Sequence, residues 1–192
     1  MTTLGDGLDA SVAAAVEGDP RAIDKVLASI RPLVVRYCRA RVGRQERSFA
    51  SADDVAQEVC LAVLTALPSY RDQGRPFLAF VYGIAAHKVA DAHRAAARNR
   101  SDPMDIVPER FSAEAGPEQI ALDGEAAERM NRLLAVLPEK QREILILRVV
   151  VGMSAEETAE AVGSTAGAVR VAQHRALARL KTEIMATGHD HA

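Results

Sequence analysis

Four positive charges, Arg170, Arg175, Arg179 and Lys181, close the stretch SAEETAEAVGSTAGAVRVAQHRALARLK, which runs from Ser154 to Lys181 with no acid between Ser164 and Thr182. Guanidinium and ammonium groups set on one helix neutralise phosphates and donate to base edges, so the chemistry in view is recognition of a nucleic acid. A solvated basic face on an ordinary amphipathic helix pair is the alternative, and the absence of acids favours DNA. Catalysis has no comparable signal. No nucleophile beside a base, phosphate-cradling loop or metal-ligand cluster is visible, so neither enzyme activity nor a cofactor is expected. The terminal His-Asp-His reads as a frayed end rather than a metal site.

The elements that must hold these charges announce themselves. Ser154 followed three residues later by Glu157 is a capping box that starts one helix, Gly163 ends it, and Thr165 is placed to cap the next. In that second helix Val169, Ala172, Ala176, Leu180 and Ile184 recur at three- and four-residue steps and predict a buried stripe. Gly167, Arg170, Val171, His174 and Arg175 then point outward. The pair reads as a helix-turn-helix whose second helix fits a major groove.

The remainder of the chain predicts an all-α protein of two small helical domains joined by a flexible acidic linker. Its 192 residues are rich in Ala, Val and Leu and contain no Trp. Helices are expected from about Leu8 to Glu17 and from Pro20 to about Val42, where Ile23, Val26, Leu27, Ile30, Val34, Tyr37 and Cys38 make a core stripe. A third begins near Ser51 or Asp53 and ends at Pro68. It buries Val55, Val59, Ala62, Val63 and Leu67 and leaves Asp54, Gln57 and Glu58 outside. The loop Tyr70 to Pro76, carrying Arg71 and Arg75, leads into a fourth helix from Phe77 to Arg98. There His87, Lys88, Arg94 and Arg98 lie towards a basic end, and a solvated face with Asp91 pairing Arg94 explains them equally well. Between Ser101 and Glu128 eight acids face one base, with Pro and Gly interspersed, which marks the linker. Beyond it Met130, Leu133, Leu134 and Leu137 begin a helix that stops at Pro138. Glu139 to Val151 forms another, bracing the helix-turn-helix.

A net charge of −2 is unusual for a freestanding DNA binder, so either the positive charge is segregated or a partner assists. No run is long enough to span a bilayer and no signal peptide is visible, so a cytoplasmic protein is expected. Cys38 and Cys60 lack metal-ligand spacing and read as buried thiols.

Taken in order, SADDVAQEV, ALPSYRD, RPFLAFVYGIAAHKVADAHR, LPEKQREILILR and GMSAEETAEAVGSTAGAVRVAQHRAL resemble a bacterial sigma factor of the two-domain extracytoplasmic-function type. The resemblance implies region 2 at 1–100, a linker at 101–124, region 4 at 125–187 and a tail at 188–192. It implies partners: the beta-prime clamp and beta flap of core RNA polymerase, promoter DNA, and an anti-sigma factor, with no membrane insertion. Asp54, Gln57 and Glu58 match the clamp-docking segment. Arg71, Arg75, His87, Lys88, Arg94 and Arg98 fall in the segments that hold the melted minus-ten element as single strand. Thr165, Gly167, Arg170, Val171, His174 and Arg175 fall in the helix that reads the minus-thirty-five duplex. Departures from the family pattern are Phe80 for Trp, His87 for Asn, Cys60 for Phe, and Ala172 and Gln173 for Arg and Leu, so base preference is not carried over. A repressor or activator with a dimerising N-terminal half is the alternative, separated by whether the chain co-purifies with core polymerase.

Overall fold

The computed structural model describes residues 6–42, 51–101 and 129–188, all of the regular structure in them being helical. Most of the expected linker and the first residues of the expected region 4, 102–128, lie outside the described residues, as does the His-Asp-His tail. Helices α1 (Asp6–Val16), α2 (Pro20–Val42), α3 (Ala52–Ala66) and α4 (Phe77–Ser101) make the first half, with a short 3₁₀ turn at Leu67–Ser69. The second half holds α5 (129–135), α6 (Glu139–Leu145), α7 (Ala155–Val162) and α8 (Ala166–Gly188).

Local chemistry sets the boundaries. Asp19 Oδ1 accepts from the amide of Arg21 at 2.9 Å, and Pro20 opens α2 where a missing N–H costs nothing. Pro32 lies inside α2 on its exposed side, where it withholds one backbone donor while the helix carries on to Val42. Ser51 and Asp54 form a capping box at the start of α3, as Ser154 and Glu157 do at the start of α7. The carbonyls ending the α5 segment are met by Arg142, whose guanidinium donates to Leu134, Ala135 and Leu137 at 2.9, 3.2 and 3.2 Å. The helix from Glu139 continues as a π-turn over Ile146–Val151 and ends at Gly152, whose φ of 92° is the left-handed conformation open to glycine.

The α2 stripe packs as expected, with Val26, Ile30, Val34, Tyr37 and Cys38 buried and Ile23 and Leu27 against them; Ala22, Leu33 and Val42 join it. Other burial expectations fail in part. Ile184 is 54% exposed, because the partners of α8 reach only as far as Ala176 and Leu180. Ala62, Ala172, Leu180 and Cys60 are half-buried rather than buried.

The two domains pack against each other. One hydrophobic core joins Leu8, Val26, Tyr37 and Tyr82 to Leu134, Leu145, Leu147 and Met153, with α2 against the π-turn and α4 against α7.

Candidate functional site

Three exposed surfaces collect the expected functional residues. On α3, Asp54, Gln57 and Glu58 all face solvent. Asp54 also has a structural task, since its Oδ2 accepts from the Ser51 amide at 2.8 Å. Glu58 pairs with Lys88 Nζ at 3.1 Å, which joins an acid of α3 to a base on α4. The same face continues through Leu61, 63% exposed, and Leu64, an apolar extension that sequence reasoning missed. Its signal was available in the three- and four-residue steps from Gln57 to Leu61 to Leu64.

The second surface is the loop 70–76 with α4. Gly74, at φ 73°, donates to Asp72 Oδ1 at 2.8 Å and turns the loop. Arg71 donates to the Tyr70 carbonyl at 3.0 Å, and Arg75 meets Glu160 of α7 at 3.5 Å. Tyr70, Phe77 and Phe80 form an aromatic group with ring centroids 5.0 to 5.7 Å apart. Phe80 is half-exposed and lines two depressions. One, of 380 Å³, is bounded by Tyr70, Arg71, Arg75 and Glu160; the other, of 410 Å³, by Ile84, His87, Lys88 and Asp91. A half-exposed ring beside guanidinium groups offers stacking and charge together, which is what unpaired bases on a backbone require. Farther along α4, His87 is held by the Gly83 carbonyl at 2.8 Å, Arg94 pairs with Asp91, and Arg98 is exposed.

The third surface is α8. Gly163 ends α7 in the left-handed conformation at φ 59°, and Thr165 Oγ1 accepts from the Ala168 amide at 3.2 Å. The Thr165 hydroxyl is thus a cap on an exposed residue. Gly167, Arg170, Val171, His174 and Arg175 are all exposed, and a Cβ at Gly167 would meet nothing within 4 Å. Arg170 is held by Glu156 at 2.6 Å. Gln173 turns inward and accepts from Arg148 Nε at 3.0 Å, so it belongs to the packing rather than to the outward face.

Burial pushes the Cys38 thiol up to about 12, with the neighbouring Cys60 and Asp53 adding to the shift, and it raises Cys60 as well. Neither is poised as a thiolate. Among the described residues no cluster of His, Cys, Asp or Glu is arranged to hold a metal, and no helix is long and apolar enough to cross a membrane.

The family model for Sigma-70 region 2 matches residues 26–99, and that for Sigma-70, region 4 matches 127–180. The ECF RNA polymerase sigma factor SigD of Mycobacterium tuberculosis is 72% identical over 188 residues, covering 98% of this chain and 89% of its own. The chain belongs to the ECF RNA polymerase sigma factors. A second relative, the ECF sigma factor ShbA of Streptomyces griseus, is 53% identical across 91% of this sigma factor and 93% of itself. Among solved structures, CnrH in complex with the cytosolic domain of CnrY aligns with a TM-score of 0.66 at 25% identity. That alignment covers 92% of this sigma factor and 96% of the other chain, so it takes in helices from both halves. Membership implies promoter-specific initiation of transcription, and the all-α fold with a region 2 and a helix-turn-helix region 4 agrees with it.

Proposed function

We propose that this sigma factor docks on core RNA polymerase through α3 and the beta flap-facing side of region 4. The loop 70–76 with α4 holds the melted minus-ten element, and α8 reads the minus-thirty-five duplex. Region 2 then spans 1–100, 101–124 is the linker, region 4 spans 125–187, and 188–192 is a tail. The observation that carries this reading is the division of exposed chemistry: acids, an amide and leucines on α3, cations and a half-exposed ring at the loop and α4, and cations with no acid from Ala166 to Thr182 on α8.

Each face suits its partner. A mixed acidic and apolar face complements a basic protein surface. Arg71 and Arg75 flank the Phe80 depression, where a base can stack while its phosphate meets a guanidinium. On α8, Arg170 and Arg175 offer donors to guanine or phosphate, Val171 an apolar contact to a thymine methyl, and Gly167 permits close approach. We propose further that the protein acts in the cytoplasm and that an anti-sigma factor covers the polymerase-binding faces. The solved complex of CnrH with CnrY supports such a partner.

Co-purification with core polymerase tests the docking face. Glu58→Arg and Gln57→Arg are the informative changes, because Asp54 also caps α3 and its loss would confuse docking with folding. Wild-type chain is expected to be retained, and both variants to be lost, while retaining the helical signal. Full retention of both would remove α3 from the interface.

A further inference from the structure

The outward face of α8 carries cations, and the acid that meets one of them stands on another helix. Arg170 Nη2 donates to Glu156 Oε1 at 2.6 Å, across the turn from α7 to α8. Both side chains are more than half exposed, Arg170 at 59% and Glu156 at 64%. An exposed pair of this kind adds little to folding stability. Its consequence lies in what it does to the guanidinium.

Both ends of the pair stand on fixed backbone. Glu156 belongs to the first turn of α7, where Ser154 Oγ accepts from the Glu157 amide at 3.0 Å and Glu157 Oε2 accepts from the Ser154 amide at 2.6 Å. Val169 and Ala176, wholly buried, seat α8 from beneath. On its flank Arg148 of the π-turn donates through Nε to Gln173 Oε1 at 3.0 Å and through Nη1 to the Met153 carbonyl, which ties the roll of α8 to the segment leading into α7. Packing thus sets the backbone of Arg170, and Glu156 sets the end of its side chain.

Two effects follow for a duplex that approaches this face. A long side chain already held in one geometry gives up less rotamer freedom on binding. The carboxylate also offsets the positive charge and repels phosphate oxygens, while the bond occupies one Nη2 hydrogen and leaves the rest of the planar fork to paired acceptors. In a major groove those acceptors are N7 and O6 of guanine.

We propose that Glu156 is a positioning residue for promoter readout: it aims Arg170 at a guanine edge and away from the phosphate backbone. This rests on the reading of α8 as the helix that enters the upstream duplex. It adds a residue of α7 to the determinants of specificity.

The test uses holoenzyme reconstituted from core RNA polymerase and the full chain, with a pool of promoter duplexes randomised across the upstream element. Wild type should enrich guanine at one position that depends on Arg170. Glu156→Ala should lower that enrichment about fivefold or more and leave the other positions unchanged. The full chain alone, on duplex of unrelated sequence at low salt, reads the other half of the proposal. There Glu156→Ala should bind more tightly, and log affinity against log salt should steepen by about one, because the freed guanidinium meets a phosphate. Weaker binding to every sequence alike, with no steepening, would give Glu156 a structural part only and overturn the proposal.

Glu156→Ala added to Arg170→Ala should cost no further guanine enrichment, since nothing is left to position, and additive losses overturn the coupling. Should Glu156→Ala lose its helical signal, Glu156→Lys decides: it repels Arg170 and should remove the same preference, and a retained preference contradicts the proposal. The two readings fail separately. If no guanine depends on Arg170, the reading of Arg170 as a base contact falls, and the proposal with it. If Arg170→Ala abolishes the enrichment and Glu156→Ala preserves it, the positioning role alone falls.

Discussion

Arg170 concentrates the question of readout. It stands on the outward face of α8, one turn beyond Gly167, and in the free chain its guanidinium is held by Glu156. The pair is exposed on both sides and contributes little to stability, so Arg170→Ala should leave the melting temperature almost unchanged. Loss of one specific contact at a base or phosphate should weaken binding to the upstream element by about tenfold, or ~1.4 kcal/mol, in the polymerase-bound complex. Footprinting of the holoenzyme reads this directly, and undiminished protection upstream would remove Arg170 from the interface. The residue's exposure was legible, because a three- and four-residue stripe containing Val169 and Ala176 leaves Arg170 no other side. Its partner was not. Glu156 lies across the turn from it, and sequence spacing does not fix distances between helices.

At the scale of elements, helix starts combine caps and charge. Asp53, Glu139 and Glu156 sit in the first turns of α3, α6 and α7, where the helix dipole favours a negative charge. The Arg39 hydrogen bond holds Asp53 below its ordinary range, and the Arg41 hydrogen bond does the same for Glu139. For Glu156 a backbone hydrogen bond leads and Arg170 adds to it. A carboxyl lowered in the folded chain contributes stability above its unfolded value near about 4 and loses it as pH falls through the folded value. The melting temperature should therefore stay level from neutral pH to about 5 and drop below about 4, with Glu139→Gln flattening part of the drop. A melting curve equally stable at acid pH would contradict these pairings. A backbone test is Gly163→Ala. A left-handed conformation at φ 59° should cost an alanine about 1–2 kcal/mol.

Most elements were legible because their signals are local. Asp19-Pro20, the Ser154–Glu157 capping box and Gly163 each act within a few residues of where they stand. The end of the α8 stripe was not. Ile184 keeps the period, but whether a periodic residue is buried depends on how far a neighbouring helix extends. Arg142, capping the α5 segment from eight residues beyond Leu134, was equally hidden from a reading by local pattern.

The whole molecule brings together residues that no local pattern connects. Tyr37 and Glu143 are 106 positions apart, and the reading of two domains on a flexible linker left their mutual placement open. A shared core packs the two domains together, with acids of region 4 facing bases of region 2 at Arg41–Glu139 and Arg75–Glu160. The net charge of −2 fits a protein that gains affinity for DNA from its polymerase partner rather than carrying it alone. The isolated chain should accordingly bind duplex promoter DNA only weakly at physiological salt, and nanomolar binding in a mobility-shift assay would contradict this.

The most direct measurement is run-off transcription with purified core RNA polymerase on a library of genomic fragments, with and without the protein. Discrete start sites present only when it is added are predicted, with two shared upstream elements emerging when their sequences are aligned. The absence of new start sites together with the absence of any complex with core polymerase would contradict the account.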